Sequence, residues 1–429
     1  MNRTDPILSG RMMFYGDASF YSSVVHVRLK EPVDAELLQR AVDEATRRHR
    51  WATYGVREEG GLFYYSDHLP GTIAVCAVDE KHPPVIGGPE TDGHLLGVFY
   101  EGREILFPFF HGLTDGAGIF SFVNETLRSY VALSAGSPLP PVEPEPADAE
   151  AEPFRCVDHA MESLGLEWSP AAAGAQEQPK FATQELTLAS AGHPRTYLVR
   201  ADAGQLIGFA KGLGIKPSAA LITLYAAAFL QVQPDTTDQL RIAMPIDLRG
   251  TLGIPHTFRN CAVPPAILNV PVTPGAGVAE LAGAVNEAVL QSISPAAQVL
   301  MAKGFSTYID MLAPMPYSQT EQVFEQMATG GGVPFTFNCS YAHRYRDEEF
   351  LDLLEGVYVQ TPAYETATIL VAIALPDTFC ITLNQSGSSE AYLEAFLAQL
   401  KANGIAASLE ETLEGYSPYV ELRETLGYR

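Results

Sequence analysis

The sequence predicts an α/β protein in which two sandwich-like halves with mixed sheets follow one another along the chain. Its 429 residues are enough for two hydrophobic cores of roughly 200 residues each. Strand and helix patterns alternate irregularly in both halves, so a regular βαβ arrangement is not expected. A proline-rich acidic stretch separates the halves. We therefore expect domains at 1–135 and 181–429, joined by a linker or crossover at 136–180 that holds one short helix.

The first half begins with a strand pattern at 21–29, where apolar and polar residues alternate. Asp34 then opens a helix whose apolar residues recur at three- and four-residue spacing, and whose basic end suits the helix dipole. Further strands are predicted at 62–66, 72–78, 94–100 and 104–110, followed by an amphipathic helix at 119–131.

The second half starts with a strand and two capped helices. Asp202 is a predicted N-cap with Gln205 three residues on, as in a capping box, and Ser218 is predicted to cap a nearly all-apolar helix at 219–232. The remaining elements are predicted as strands at 194–200, 240–246, 258–271, 334–341, 366–374 and 379–384, a helical region of about 25 residues from 278 interrupted at 294–295, and a helix at 390–401.

The composition excludes several classes of function. A net charge of −24 argues against nucleic acid, which requires clustered Lys and Arg, and against anionic membrane surfaces. The five cysteines are scattered and form no CxxC pair, so neither a disulfide framework nor a zinc site is expected, and a reducing cytoplasm fits best. The start resembles no signal peptide, and no apolar run approaches roughly 18 residues, so no membrane insertion is expected.

Common catalytic and cofactor motifs are missing from the sequence. No GxGxxG follows a strand, and no phosphate loop of the Walker type is present. The GxSxG elbow of serine hydrolases and the HExxH motif of zinc proteases are also absent. We therefore expect no metal and no permanently bound cofactor.

The most informative segment is 107–118, in which Asp115 and Gly116 follow His111 by four and five positions. The apolar run before it and the helix pattern after it predict a strand, a tight turn and a helix. A histidine in such a turn is a candidate general base, because imidazole titrates near roughly 6.5. The alternative is a histidine that merely satisfies the turn.

A second segment, Asp247-Leu248-Arg249-Gly250, lies at another predicted strand end in the other half. Asp115 would be an anion near a buried turn and needs a partner. Arg249 can supply the cation, and the pair would then fasten the two halves and fix the turn that bears His111. The alternative is that Arg249 pairs with Asp247 or faces solvent.

Together the two segments resemble the CoA-dependent acyltransferase superfamily, which includes chloramphenicol acetyltransferase, the condensation domains of peptide synthetases, plant BAHD acyltransferases and microbial alcohol acetyltransferases. The order of elements matches over nearly the whole chain. The resemblance implies two chloramphenicol acetyltransferase-like α/β sandwich subdomains with mixed sheets and a tunnel at their interface. It also implies that His111 is the general base, whereas Asp115, Gly116 and Arg249 are structural.

The tetrahedral intermediate of acyl transfer needs a donor for its oxyanion. Residues 336–340 lie where family members often carry a Ser-Asn strand facing the tunnel. Asn338 and Ser340 point to one side of that strand by its period of two. With Asn260 they are candidates for contacts to the oxyanion or the substrate, and ordinary strand polarity is the alternative.

Departures from the family pattern narrow the expected function. Phe110 occupies the first of the two histidine positions of condensation domains, and the Asp-Phe-Gly-Trp-Gly signature of plant members is missing. We expect a stand-alone, alcohol acetyltransferase-like enzyme with acyl-CoA as co-substrate and a hydroxyl or amine acceptor. The acidic charge would repel an acidic acyl carrier protein. The alternatives are a catalytically degenerate binding protein and a carrier-protein-dependent condensation enzyme.

Overall fold

The computed structural model describes residues 5–14, 21–67, 69–78, 86–169, 180–182, 195–273, 275–312, 335–363, 368–387 and 389–414, with isolated positions between 315 and 323. In the first half the elements are β1 (Ser22–Leu29), α1 (Ala35–Arg48), β2 (Gly55–Glu59), β3 (Leu62–Ser66), β4 (Val75–Ala77), β5 (Val98–Glu101), β6 (Glu104–Phe110), α2 (Gly116–Ser134) and α3 (Pro153–Ser163). Part of the predicted linker, 170–179, lies outside the described residues.

The second half contains the remaining helices and strands. They are β7 (Arg195–Asp202), α4 (Ala203–Gly212), α5 (Pro217–Val232), β8 (Leu240–Met244), α6 (Arg249–Leu252), β9 (Ala266–Val270), α7 (Val278–Ser292), α8 (Pro295–Leu312), β10 (Phe337–Arg344), β11 (Leu354–Gln360), β12 (Thr368–Ala374), β13 (Thr378–Gln385), α9 (Ala391–Ala402) and β14 (Ala407–Glu414).

The first sheet has the strand order β11-β1-β6-β5-β4. In this sheet β1 pairs antiparallel with β6 on one side and with β11 on the other. The buried side chains of β1 and β6 pack with those of α1 and α2 in one core. Since β11 comes late in the chain, the segment 181–429 contributes a strand to this sheet as well.

The second sheet has the order β14-β7-β13-β12-β10-β8-β9. It is mixed, because β10 runs parallel to both β12 and β8, whereas the other pairs are antiparallel. Helix α5 is buried over most of its length against this sheet, together with α9. The predicted α/β class with mixed sheets is confirmed.

Several local predictions are wrong in instructive ways. Helix α5 begins at Pro217 after Lys216, and Ser218 lies inside it, because the fixed φ of proline suits the first helical position. The predicted strand at 258–271 shrinks to β9. Strands β2, β11 and β14 were not predicted; β11 is buried on both faces and so lacks alternation.

In the described residues no single helix is long and apolar enough to cross a membrane. Helices α4 and α5 together pass a test of length and apolar composition, but they are bent by 89° relative to each other.

Candidate active site

A cavity of about 630 Å³ lies between elements of the two halves. Its volume falls in the range of small-molecule sites. Helix α2 and strand β1 contribute one part of its wall, and β10, β12 and the segment after β8 contribute another. Six of the seven predicted site residues line it, namely His111, Asp115, Gly116, Asn260, Asn338 and Ser340. The seventh, Arg249, lies behind Asp115.

His111 follows the last residue of β6, as the sequence predicts. Its backbone N–H donates to the carbonyl of Tyr21 at 2.7 Å, which continues the pairing of β6 with the chain before β1. Ring atom Nδ1 lies 3.2 Å from the carbonyl oxygen of Thr114. Because a carbonyl can only accept, Nδ1 carries the proton and Nε2 keeps its lone pair. Burial lowers the pKa of His111 below its usual 6.5, although the nearby Asp115 opposes this.

The turn that follows His111 depends on two glycines outside the Asp-Gly pair. A Cβ on Gly118 would meet Thr114 Oγ1 at 1.9 Å, and a Cβ on Gly112 would meet the ring of Phe110 at 2.2 Å. A Cβ on Gly116 would meet no described atom within 4 Å, and Gly116 lines the cavity. The space around Gly116 is therefore cavity space, and the packing of the turn leaves room for a side chain there.

Asp115 caps helix α2 and is buried. Its Oδ1 accepts hydrogen bonds from the N–H of Gly118 at 3.0 Å and from Arg249 at 2.7 Å. Its Oδ2 accepts from Arg249 at 2.8 Å and from the N–H of Cys261 at 2.8 Å. All four hydrogen bonds come from protein donors, so both carboxylate oxygens of Asp115 are engaged in holding the turn.

Arg249 supplies the predicted cation from the second half. Its guanidinium meets Asp115 in a bidentate pair and also donates to Asp247 at 3.0 Å. The remaining N–H groups donate to the carbonyls of Thr257 at 2.8 Å and Arg259 at 2.9 Å. Both partners anticipated for Arg249, Asp115 and Asp247, are thus used at once. The geometry is the planar fork that favours arginine over lysine.

The three polar residues that are candidates for contacts to the oxyanion or the substrate, Asn260, Asn338 and Ser340, occupy different environments. Asn260 donates to the carbonyl of His111 at 3.2 Å and accepts from the N–H of Ala262 at 3.0 Å. These bonds favour a positioning role for Asn260 at the turn. Asn338 Oδ1 is buried and has no hydrogen-bond partner in the described part of the chain. All three residues line the cavity, but the amide of Asn260 is already engaged by His111 and Ala262, so Asn338 and Ser340 are the better placed to contact a ligand.

Among the residues that the structure describes, one group of three side chains has ligand atoms close enough to hold a metal. The atoms of Asp115, Asp247 and Cys261 lie within 4.8 Å of one another. Arg249 already donates hydrogen bonds to both carboxylates, and burial raises the pKa of the Cys261 thiol, which keeps it protonated. A protonated thiol is a poor metal ligand, so these residues serve the ion pair.

Two parts of the site were not predicted from the sequence, namely the packing of the loop 257–261 on the His111 turn and the position of His343. Thr114 lies inside the predicted turn, and its hydroxyl donates to the carbonyl of Phe258 at 2.6 Å. The loop 257–261 therefore packs on the His111 turn and supplies Asn260 and the Cys261 N–H. Its only sequence signal is its place soon after Arg249. His343 was also missed, since no motif surrounds it.

Comparison with known proteins defines the fold class. No family model and no curated protein sequence matches this chain. Solved structures match over almost the full length of this chain, among them condensation domains and a protein solved with coenzyme A, and the shared fold is the two-subdomain, chloramphenicol acetyltransferase-like one. The predicted fold is thereby confirmed.

Three of these structures illustrate the likeness. Polyketide synthase associated protein 5 from Mycobacterium tuberculosis is 14% identical with a TM-score of 0.60, and the match covers 93% of this chain and 99% of that one. TRI101 of F. graminearum, solved with coenzyme A and T-2 mycotoxin, is 11% identical with a TM-score of 0.55, covering 92% and 96%. The first condensation domain of the CDA synthetase is 13% identical with a TM-score of 0.55, covering 90% and 91%.

Proposed function

We propose that this protein is an acyltransferase that moves an acyl group from an acyl thioester to a hydroxyl or amine acceptor. The observation that carries the proposal is the neutral His111, whose Nδ1–H is held by Thr114 and whose ring lines a cavity shared by both halves. This arrangement leaves Nε2 as the basic atom. A base oriented in this way on a rigid turn is suited to proton abstraction.

The reaction follows from that geometry. Nε2 of His111 takes the proton from the acceptor O–H or N–H as the acceptor atom attacks the thioester carbonyl carbon. The carbonyl oxygen becomes an oxyanion, for which Asn338 and Ser340 are the candidate contacts. The tetrahedral intermediate collapses, the C–S bond breaks, and the proton on Nε2 passes to the leaving thiolate. His111 is then neutral again.

Acyl-CoA is the proposed donor. The net charge of −24 repels an acidic carrier protein, whereas a small thioester can place its reacting end in the cavity. TRI101, which shares the fold, was solved with coenzyme A. The condensation domains among the structural neighbours support the carrier-protein alternative. Parallel assays with acyl-CoA and with the same acyl group on a carrier protein separate the two donors.

A binding protein that has lost activity is the alternative from another class. The missing first histidine, replaced by Phe110, favours it. The open cavity beside His111 favours the enzyme, because a degenerate site has no need to keep a neutral, oriented base next to ligand-sized space.

Replacement of His111 by alanine tests the proposal. We expect the protein to stay folded while acyl transfer falls about 10²- to 10⁴-fold, the usual contribution of a general base. The control is His256→Ala, because His256 is 58% exposed and lies outside the cavity wall. Transfer by His111→Ala at the rate of the parent protein would contradict the assignment of the base.

A further inference from the structure

A second histidine, His343, lines the same cavity. Strict alternation along β10 from Asn338 and Ser340 would place His343 on the opposite face, with Cys339 of the core. The pairing shows why it does not. Between Tyr341 and His343, β10 advances two residues while β12 advances one. This β-bulge reverses the alternation, so that His343 faces the cavity and Arg344 is exposed.

The ring of His343 is held on one side by a buried polar pair. The hydroxyl of Tyr345 donates to Asn124 Oδ1 at 2.9 Å, and Asn124 Nδ2 lies 3.4 Å from His343 Nε2. The amide N–H donates, so Nε2 accepts and Nδ1 carries the proton. The ring also stacks on Phe120 at 4.7 Å. Nδ1 has no hydrogen-bond partner among the residues that the structure describes.

Helix α2 borders the cavity at both the His111 turn and His343, so its length gives the separation of these two ends. Gly116, beside the His111 turn, and Asn124, beside His343, both line the cavity. Eight residues of helix span about 12 Å at roughly 1.5 Å per residue. The cavity therefore extends along α2 from the base to a separate polar end at His343.

The wall between these two ends is mostly apolar. It is formed by side chains such as Val25, Ile119, Phe120, Val359, Ile369 and Val371. No Lys or Arg of the described residues lines the cavity. Burial lowers the pKa of His343, so its ring is neutral near pH 7. This end of the cavity lacks the positive charge that a carboxylate or phosphate would require, and the ring of His343 offers a neutral donor.

We propose that His343 is a substrate-binding residue that recognises a neutral hydroxyl at the far end of an apolar substrate, in the part of the cavity that lies about 12 Å along α2 from the His111 turn. The substrate is the acyl chain or the acceptor, whichever occupies this arm of the cavity. The proposal deepens the proposed function and rests on it only for the identity of the reacting end. The hydroxyl oxygen accepts from Nδ1–H, and the apolar chain lies along α2.

Calorimetric titration tests the proposal without requiring turnover. One arm compares a primary alcohol with the terminal diol of equal length, the chain chosen to span roughly 12 Å. The other compares an acyl-CoA with its terminally hydroxylated counterpart. In the arm that matches the natural occupant, we expect His343→Phe to reduce the affinity ratio of hydroxylated to plain probe about tenfold, since the bound hydroxyl loses its partner.

Matched variants show whether the effect comes from the hydrogen bond. Phenylalanine keeps a planar ring on Phe120, so the plain probe is expected to bind within about twofold of the parent protein. His343→Asn restores a donor near the Nδ1 position and is expected to restore part of the ratio. Melting temperatures verify that each variant is folded. A ratio unchanged in His343→Phe in both arms overturns the proposal.

The same titrations separate this proposal from the proposed function. His111→Ala is expected to lose turnover and to keep the preference for the hydroxylated probe. If the parent protein shows that preference but transfers no acyl group to any acceptor, the acyltransferase assignment fails and the binding role of His343 stands. If acyl transfer is found with no such preference, the assignment stands and the His343 proposal fails.

Discussion

Replacing Asp115 by asparagine is expected to destabilise the protein and to disturb its activity. The substitution keeps the size of the side chain but removes the charge that faces the bidentate guanidinium of Arg249. Asparagine also offers one acceptor oxygen where the carboxylate offers two, so one guanidinium N–H and one backbone N–H, that of Cys261 or of Gly118, lose their acceptor. The perturbation therefore tests the ion pair and the anchoring of the turn together.

The magnitude follows from the burial of both partners. The Asp115 side chain is 1% exposed and that of Arg249 is 7% exposed, so water cannot replace the lost partner. Breaking a buried ion pair from one side costs about 3–5 kcal/mol. Asp247 still faces Arg249 at 3.0 Å, but its side chain is 52% exposed, and exposed pairs contribute about 0–1 kcal/mol. We therefore expect the free energy of unfolding to fall by about 3–5 kcal/mol.

Urea denaturation of the parent protein, Asp115→Asn, Arg249→Met and the double variant measures this effect. If the two residues stabilise the fold as a pair, the double variant is less destabilised than the sum of the single variants. The matched control is Glu44→Gln, which breaks another buried ion pair, with Arg48 in α1, away from the cavity wall. We expect a comparable loss of stability in this control, with activity per folded molecule retained.

Two results would refute this reasoning. A loss below about 1 kcal/mol in Asp115→Asn would place the pair in the class of solvent-screened contacts. A free energy of unfolding reduced as expected, with activity per folded molecule equal to that of Glu44→Gln, would show that the pair does not hold the His111 turn.

The remaining predictions concern the turn and its base. Gly118→Ala is expected to cost about 1–3 kcal/mol of stability in thermal melts, because its Cβ would overlap Thr114. Gly116→Ala should melt like the parent and slow acyl transfer, since its Cβ enters the cavity; normal turnover would contradict this. Burial lowers the pKa of His111, so kcat/KM should rise with pH through an inflection below 6.5 and stay level above it. An inflection above 6.5 would exclude His111 as the titrating base.

The sequence predicted which side chains form the candidate site, but not the backbone groups that hold those side chains in place. His111, Asp115 and Arg249 are recognisable because each lies at the end of an apolar run, where a strand gives way to a turn. The two polar residues of β10, Asn338 and Ser340, follow from the period of two of a strand. Cys261 contributes only a backbone N–H, and Phe258 only a carbonyl, and such contributions leave no trace in residue type.

The His343 end of the cavity could not be predicted from the sequence, and the reason is a different one. His343 reaches the cavity through a β-bulge, and a bulge changes the face of every later residue without changing composition. Likewise, β11 joins the first sheet although it is late in the chain. Its pairing with β1 is a long-range contact, which local periodicity does not contain.

The ion pair makes the orientation of the base depend on the docking of the two halves. Asp115 and Arg249 are 134 residues apart, and two further contacts of the turn, from Thr114 to Phe258 and from Asn260 to His111, join the same two segments. The turn therefore has its observed geometry only when the loop after β8 packs against α2. Separation of the halves would release the His111 turn even if each sheet stayed intact, so in a urea titration activity should disappear no later than the first loss of tertiary structure.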